Sequence, residues 1–139
     1  MKPLPIAVAS AIVAWILVFA LFIPAPVEML PGDSVIPVTV YAGQTITVSR
    51  NFRAKRDVHV WVVREMVRGD CAKSCEVLSL DHSSISIKKG EYHNRMRTHT
   101  IPLAATPGIW KLTFSLNYSG IFGRTATIPL VPLEIEVLP

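Results

Sequence analysis

The sequence predicts an all-β fold: an antiparallel two-sheet sandwich of seven or eight strands, preceded by a single N-terminal transmembrane helix. Three observations support this fold class. Residues 6–23 form an apolar run without a charged residue. From Val35 onward, apolar and polar residues alternate in short runs separated by turn residues about every 8–12 positions, as in β-sandwiches. Eleven prolines in 139 residues argue against a helical globule.

The apolar run at residues 6–23 is interrupted only by Ser10. As a helix it would rise about 27 Å, which is close to the hydrocarbon thickness of a bilayer. Lys2 precedes the run and acidic residues follow it, so we expect residues 1–5 to be a cytoplasmic stub and residues 6–23 a signal anchor that contacts lipid. This predicts a single-pass protein of the cytoplasmic (inner) membrane with an extracytoplasmic C-terminal domain. The alternative is a cleaved secretory signal with its cut after Ala20, which the prolines that follow disfavour.

Residues 24–34 are predicted to be a proline-rich spacer, because proline lacks a backbone donor and cannot continue the helix. Residues 35–139 then form one β-sandwich domain, a length that suits a single core. Strands are predicted, in order, at 35–41, 44–52, 57–67, 76–80, 84–88, 95–103, 110–118 and 125–138. Turns separate them, among them Ala42-Gly43, AATPG at 104–108 and the segment 119–123.

The faces of the two central strands follow from their alternation. In the strand that begins at Trp110, one face is apolar and aromatic and the other is polar, which predicts a half-buried antiparallel strand. In the strand at 57–67, alternate valines share one face, and Arg64 and Glu65 are expected to mark its emergence into solvent. In the strand at 44–52, Ile46, Val48 and Arg50 fall on one face.

The segments AGQTITVSRNF (42–52) and TPGIWKLTFSLNY (106–118), behind an N-terminal anchor, resemble those of immunoglobulin- or fibronectin-like extracytoplasmic sandwiches. In general plan the chain is also similar to small single-anchor membrane proteins encoded by phages and prophages. The resemblance spans Val35–Leu138 and implies a sandwich fold. It carries no functional residues with it, and the Cys–Trp–Cys arrangement of antibody domains is absent.

The positive charge is concentrated in the middle of the chain, where eleven of the fourteen Lys and Arg residues lie between Arg50 and Arg97. Such a distribution favours an anionic partner such as lipid headgroups, cell-wall polymer or nucleic acid, although a solvated face of mixed charge gives the same pattern. We expect an unknown protein or anionic cell-surface partner, and no specific nucleic-acid recognition is evident. Two segments are the candidate binding sites: a basic loop and an exposed tip. Their charged residues are Arg50, Arg53, Lys55 and Arg56 in the loop, and Arg68 and Asp70 at the tip.

Cys71 and Cys75 lie between two predicted strands, and in an exported domain this spacing predicts a disulfide that closes a hairpin end. The alternative is a copper or redox protein, because Cys-x3-Cys behind an anchor resembles the dinuclear copper site of oxidase subunit II. The resemblance departs at Ser79, where that family has histidine, and the next histidine, His82, lies too far along the chain.

No catalytic constellation, metal site or cofactor site is predicted. The sequence therefore indicates a non-enzymatic binding or structural module, or alternatively an accessory subunit of a larger membrane complex.

Overall fold

The computed structural model describes residues 6–22, 25–119 and 125–139. These ranges leave out the predicted stub at 1–5, the last residue of the apolar run (23), the first residue of the predicted spacer (24) and most of the predicted turn at 119–123. The described chain contains one helix and eleven strands. They are α1 (Ile6–Phe22), β1 (Val27–Met29), β2 (Ser34–Ile36), β3 (Thr39–Tyr41), β4 (Thr45–Ala54), β5 (Val58–Asp70), β6 (Ser74–Ser79), β7 (Ser83–Ile87), β8 (Gly90–Thr100), β9 (Gly108–Ser119), β10 (Thr125–Pro129) and β11 (Leu133–Leu138).

The strands form two sheets. In the smaller sheet, β4 is central: β8 pairs along one edge, and β1 and β2 pair with successive parts of the other edge. In the larger sheet, β9 and β5 are central. β9 pairs with β10 and β11 on its far side, and β5 pairs with β6 and β7. The strand β3 pairs with β11.

The apolar faces predicted from the alternation are buried between the sheets. In β9, Trp110 and Leu112 are fully buried and Phe114 and Leu116 nearly so, because successive side chains of a strand point to opposite faces. The buried residues form two clusters. The first core cluster is centred on Trp110, Leu112 and Met66, with Ile46 and Val48 from β4. The second core cluster includes Val60, Val62 and Leu116 of β5 and β9, with Val27 and Ala54.

The predicted transmembrane anchor at residues 6–23 is wrong. In the part of the chain that the structure describes, no helix is both long enough and apolar enough to span a bilayer. The helix α1 has 17 residues, short of the roughly 20 that a spanning helix needs. The predicted single-pass placement in the cytoplasmic membrane is therefore wrong as well.

The predicted sandwich is also corrected in its strand number and pairing. Eleven strands are present in the described residues where seven or eight were expected, because prolines and turns divide the long predicted runs into shorter strands. Pro37 separates β2 from β3, and these two strands pair in different sheets. The β3–β11 pairing is parallel, so the fold is not wholly antiparallel. The segment predicted as a spacer contains β1, which pairs with β4.

Candidate functional site

A layer of arginines lies between the two core clusters. On β5 the inward positions run Val60, Val62, Arg64 and Met66, so that Arg64 occupies the level between the second and the first cluster. Arg50 occupies the corresponding level on β4. Both residues are buried, with Arg64 only 4% and Arg50 9% exposed. Charged side chains are rarely buried without partners, so this layer is the feature of the core that needs a functional explanation.

An irregularity in β8 adds two more arginines to the layer. Opposite Asn51 of β4 the strand β8 has two residues, His93 and Asn94, and the register shifts there. Asn94 adopts a positive φ of 53°, and its N–H donates to Asn51 Oδ1 at 2.8 Å instead of to the ladder. This is a β-bulge, which changes the face to which the following side chains point. The inward residues of β8 are therefore Tyr92, Arg95, Arg97 and His99, which pair with inward residues of β4.

Arg50 is held by one carboxylate and has one free nitrogen. Its Nη1 donates to Asp33 Oδ2 at 2.7 Å and to the carbonyl of Val131 at 3.3 Å. Its guanidinium carbon lies over the ring of Phe114, 4.5 Å from the centroid. The buried Nη2 atom has no hydrogen-bond partner among the described residues. A buried donor without an acceptor is unfavourable, so Nη2 is a donor whose hydrogen-bonding capacity the described residues leave unused.

Arg64 is buried without a carboxylate within ion-pair distance among the described side chains. Its Nη1 donates to the carbonyl of Asp81 and to Ser83 Oγ, both at 2.9 Å. Burial, and then the positive charge of Arg97, lower the pKa of Arg64, and Asp81 opposes this shift. Neutral acceptors satisfy two hydrogen-bonding directions of the guanidinium but leave its charge uncompensated.

Arg95 and Arg97 lie at the exposed side of the same space. The guanidinium of Arg95 lies over the ring of Tyr92, with its carbon 5.5 Å from the centroid, and Tyr92 stacks on Phe52 at 4.8 Å between centroids. Arg97 Nη2 lies 3.6 Å from Asp81 Oδ2. Because both arginines are exposed at their position on β8, they can reorient toward an incoming ligand at little cost in burial.

These side chains line a cleft between the sheets, which we call the arginine cleft. It has a volume of about 310 Å³ and is lined by Arg50, Arg64, Arg95 and Arg97 together with apolar residues of both core clusters. Of the described carboxylates, Asp33 pairs with Arg50, and Asp81 lies beside Arg97. Four positive and two negative charges leave an excess of two positive charges, with His99 neutral. The cleft therefore favours an anion.

His99 is buried at the edge of the cleft, and its Nδ1 lies 3.3 Å from Asp81 Oδ1. Burial is the main cause that lowers the pKa of His99; the positive charges of Arg64 and Arg97 act in the same direction, and Asp81 opposes them. For Asp81, burial opposes ionisation, but the hydrogen bond and charge of His99 and the charge of Arg64 together lower its pKa. At neutral pH we therefore assign a neutral imidazole and an ionised carboxylate.

We expect the protein to lose stability as the pH falls below about 6.5, because His99 accepts a proton more readily in the unfolded chain than in the folded one. The contribution of His99 to the free energy of unfolding is complete above the pKa that it has in the unfolded chain. It is lost progressively as the pH falls toward the lower pKa that it has in the folded chain, by at most about 1.4 kcal/mol per pH unit. Urea unfolding between about pH 7.5 and 5 measures this loss. His99→Gln should flatten the profile; a profile equal to that of the unmodified chain would contradict the assignment.

The structure brings only one of the sequence-predicted binding residues into the cleft, namely Arg50. Arg53 also lies within β4, but on the outer face, where it pairs with Glu91. Lys55 and Arg56 follow the end of β4 and are exposed. At the tip, Arg68 Nη1 donates to Thr106 Oγ1 at 2.6 Å, and Asp70 Oδ1 accepts the N–H of Ala72 at 3.0 Å. The predicted basic loop and the predicted tip therefore do not form one site.

Cys71 and Cys75 form a disulfide, as the sequence predicts, with their Cα atoms 4.6 Å apart. It links Cys71, in the short turn after β5, to Cys75 of β6, and neither cysteine lines the arginine cleft. No group of three or more His, Cys, Asp or Glu side chains within the described ranges is arranged to hold a metal ion. The cysteines thus act as a covalent connection at the hairpin.

The site residues that sequence reasoning missed are Arg64, Arg95, Arg97, Asp33 and His99. One signal was present for Arg64: it continues the alternate positions of the buried valines of β5, and so belongs to the inward face. No such signal existed for Arg95 and Arg97, because strict alternation from Tyr92 places them on the other face. Only the bulge at Asn94 brings them to the cleft.

No family model and no curated protein matches the chain. Among solved structures, the crystal structure of the sporulation control protein Spo0M from Bacillus subtilis is similar, with a TM-score of 0.48 and 12% sequence identity. The match covers 82% of this chain and 50% of that chain, so this chain spans about half the length of Spo0M. A similarity at this level supports no argument about function.

Proposed function

We propose that this protein is a non-enzymatic binding module whose arginine cleft binds an anionic ligand between the two sheets. The observation that carries the proposal is the pair of buried guanidinium groups, Arg50 and Arg64, whose charges the described side chains compensate only in part. An ionised group in the core is strongly unfavourable unless it is paired. A bound anion would supply the missing charge and the missing acceptor.

The surroundings of the two buried arginines support binding over a purely structural role. A structural arginine in a core is commonly paired with a carboxylate, as Arg50 is with Asp33, the residue before β2. Arg64 has only neutral acceptors, and two exposed arginines of β8 add further positive charge beside it. Placing like charges together opposes folding, so their arrangement around one open cleft favours a function that uses the positive potential.

Arg95 provides the test, because it is exposed and its loss leaves no buried group unpaired. The probe is inorganic phosphate, titrated at constant ionic strength and followed by the amide and arginine side-chain resonances of the full chain. We expect shifts confined to β4, β5 and β8 around the cleft. Arg95→Gln should weaken phosphate binding about fivefold, which is the effect of losing one exposed charge-assisted hydrogen bond.

The matched control is Lys111→Gln, which removes the same charge from the outer face of β9. It should leave phosphate binding close to that of the unmodified chain. The proposal fails if phosphate shifts no resonance of Arg50, Arg64 or Arg95, or if the Arg95 and Lys111 variants bind phosphate equally well.

A further inference from the structure

The arginine cleft continues beyond its charged layer into the second core cluster. The same space that Arg50 and Arg64 line is also lined by Val62 and Leu116, which are buried, and by Ile85 and Met29, which are partly buried. At about 310 Å³ the cleft is several times larger than an inorganic anion. An inorganic ion at the arginines would leave the apolar part of the lining in contact with water, which is unfavourable.

We infer that the ligand is a single-chain amphiphile, in which a phosphate monoester head is attached to a short alkyl chain. This inference rests on the proposed function of the cleft and names the class of its ligand. The head would lie against the free Nη2 of Arg50 and the guanidinium groups of Arg64 and Arg95. The chain would lie along Val62, Leu116 and Ile85, between the two sheets.

The charge of the cleft selects the head group. The excess of two positive charges matches a phosphate monoester, which carries between about 1.5 and 2 negative charges at neutral pH and offers three acceptor oxygens. A carboxylate carries one charge and is satisfied by a single bidentate arginine. Four guanidinium groups around one space therefore favour the phosphate.

The volume of the cleft limits the length of the chain. Binding sites for small molecules range upward from about 300 Å³, so this cleft lies at the small end. We therefore expect each methylene group to increase affinity about fourfold while it still enters the cleft, and to add nothing once the cleft is filled. A monomeric, water-soluble amphiphile fits this description.

The test compares butyl phosphate and hexyl phosphate with inorganic phosphate, hexanoate and hexanol, by calorimetric titration of the full chain. Hexyl phosphate should bind about sixteenfold more tightly than butyl phosphate if both added methylene groups enter the cleft, and more tightly than hexanoate or hexanol. Ile85→Ala should weaken hexyl phosphate binding about threefold and inorganic phosphate binding by less, since Ile85 is an apolar residue of the cleft lining and its side chain offers no hydrogen bond to the head. Ile109→Ala, at an exposed position outside the cleft, should change neither.

The outcomes separate this inference from the proposed function. If inorganic phosphate binds at the arginines and hexyl phosphate binds no more tightly, the ligand class is wrong and the anion site stands. If hexanoate equals hexyl phosphate, the phosphate head is wrong. If hexanol equals hexyl phosphate, or if neither Ile85→Ala nor Arg95→Gln weakens hexyl phosphate, binding occurs without the arginine cleft and the inference is overturned.

Discussion

Trp110→Ala is expected to lower the free energy of unfolding by about 4 kcal/mol, the largest effect that we predict for a single substitution. Trp110 is fully buried at the centre of the first core cluster. Its Nε1 donates to the carbonyl of Thr106 at 2.8 Å, in the turn that precedes β9. The substitution leaves a cavity and also removes the partner of that carbonyl, so both contributions act in the same direction.

Urea unfolding followed by far-ultraviolet circular dichroism measures the effect of Trp110→Ala. The matched control is Trp61→Ala on the outer face of β5, where the indole is 48% exposed and the loss should stay below about 1 kcal/mol. If the Trp110 variant lost less than about 2 kcal/mol, the placement of the first core cluster between the sheets would be wrong.

Asp33→Ala is expected to lower the free energy of unfolding by about 3 kcal/mol, although it removes only one small side chain. Asp33 Oδ2 accepts from Arg50 and Asp33 Oδ1 accepts the N–H of Asn51 at 2.9 Å. Without Asp33, the guanidinium of Arg50 remains in the core with no carboxylate partner among the described residues. The loss therefore measures an uncompensated buried charge.

Two further measurements identify the charge of Arg50 as the cause of this loss. Combining Asp33→Ala with Arg50→Met should restore most of the stability, because the buried charge is removed together with its partner. Inorganic phosphate should stabilise the Asp33 variant more than the unmodified chain, because it replaces the missing negative charge. The control Glu134→Ala removes an exposed carboxylate from β11 and should cost little. An Asp33 variant as stable as the Glu134 variant would contradict this account.

The sequence predicted well those strands in which local alternation and burial agree. In β9, Trp110, Leu112, Phe114 and Leu116 are buried as the pattern requires, because this strand is central and one of its faces covers the core. Likewise Ile46, Val48 and Arg50 share the inward face of β4. In such strands the period of two is enough to give each side chain its face.

The sequence predicted the arginine cleft poorly, for physical reasons that differ between residues. Arg64 was expected to mark emergence into solvent, because an arginine is usually exposed. In the structure the strand continues to Asp70, and the parity of its positions keeps Arg64 inside. The partners of the buried arginines, Asp33 and Asp81, lie 17 residues from them in the chain. No local pattern encodes a pairing at that separation.

The helix α1 shows a different limit of sequence reasoning. An apolar run of the right composition predicted a membrane anchor, but the described helix is too short for one. Composition gives the solvent preference of a segment, and only its length in the folded chain decides which structures it can form. The described helix ends at Phe22, one residue before the end of the predicted anchor.

The extra residue at the Asn94 bulge determines which of the following residues of β8 point toward the core and which point outward. Upstream of it the inward positions are even-numbered, and downstream they are odd-numbered. A valine at this position would strongly disfavour the positive φ that the bulge requires. Such a substitution would therefore oppose the register shift that turns Arg95 and Arg97 toward the cleft, without altering any arginine of the chain.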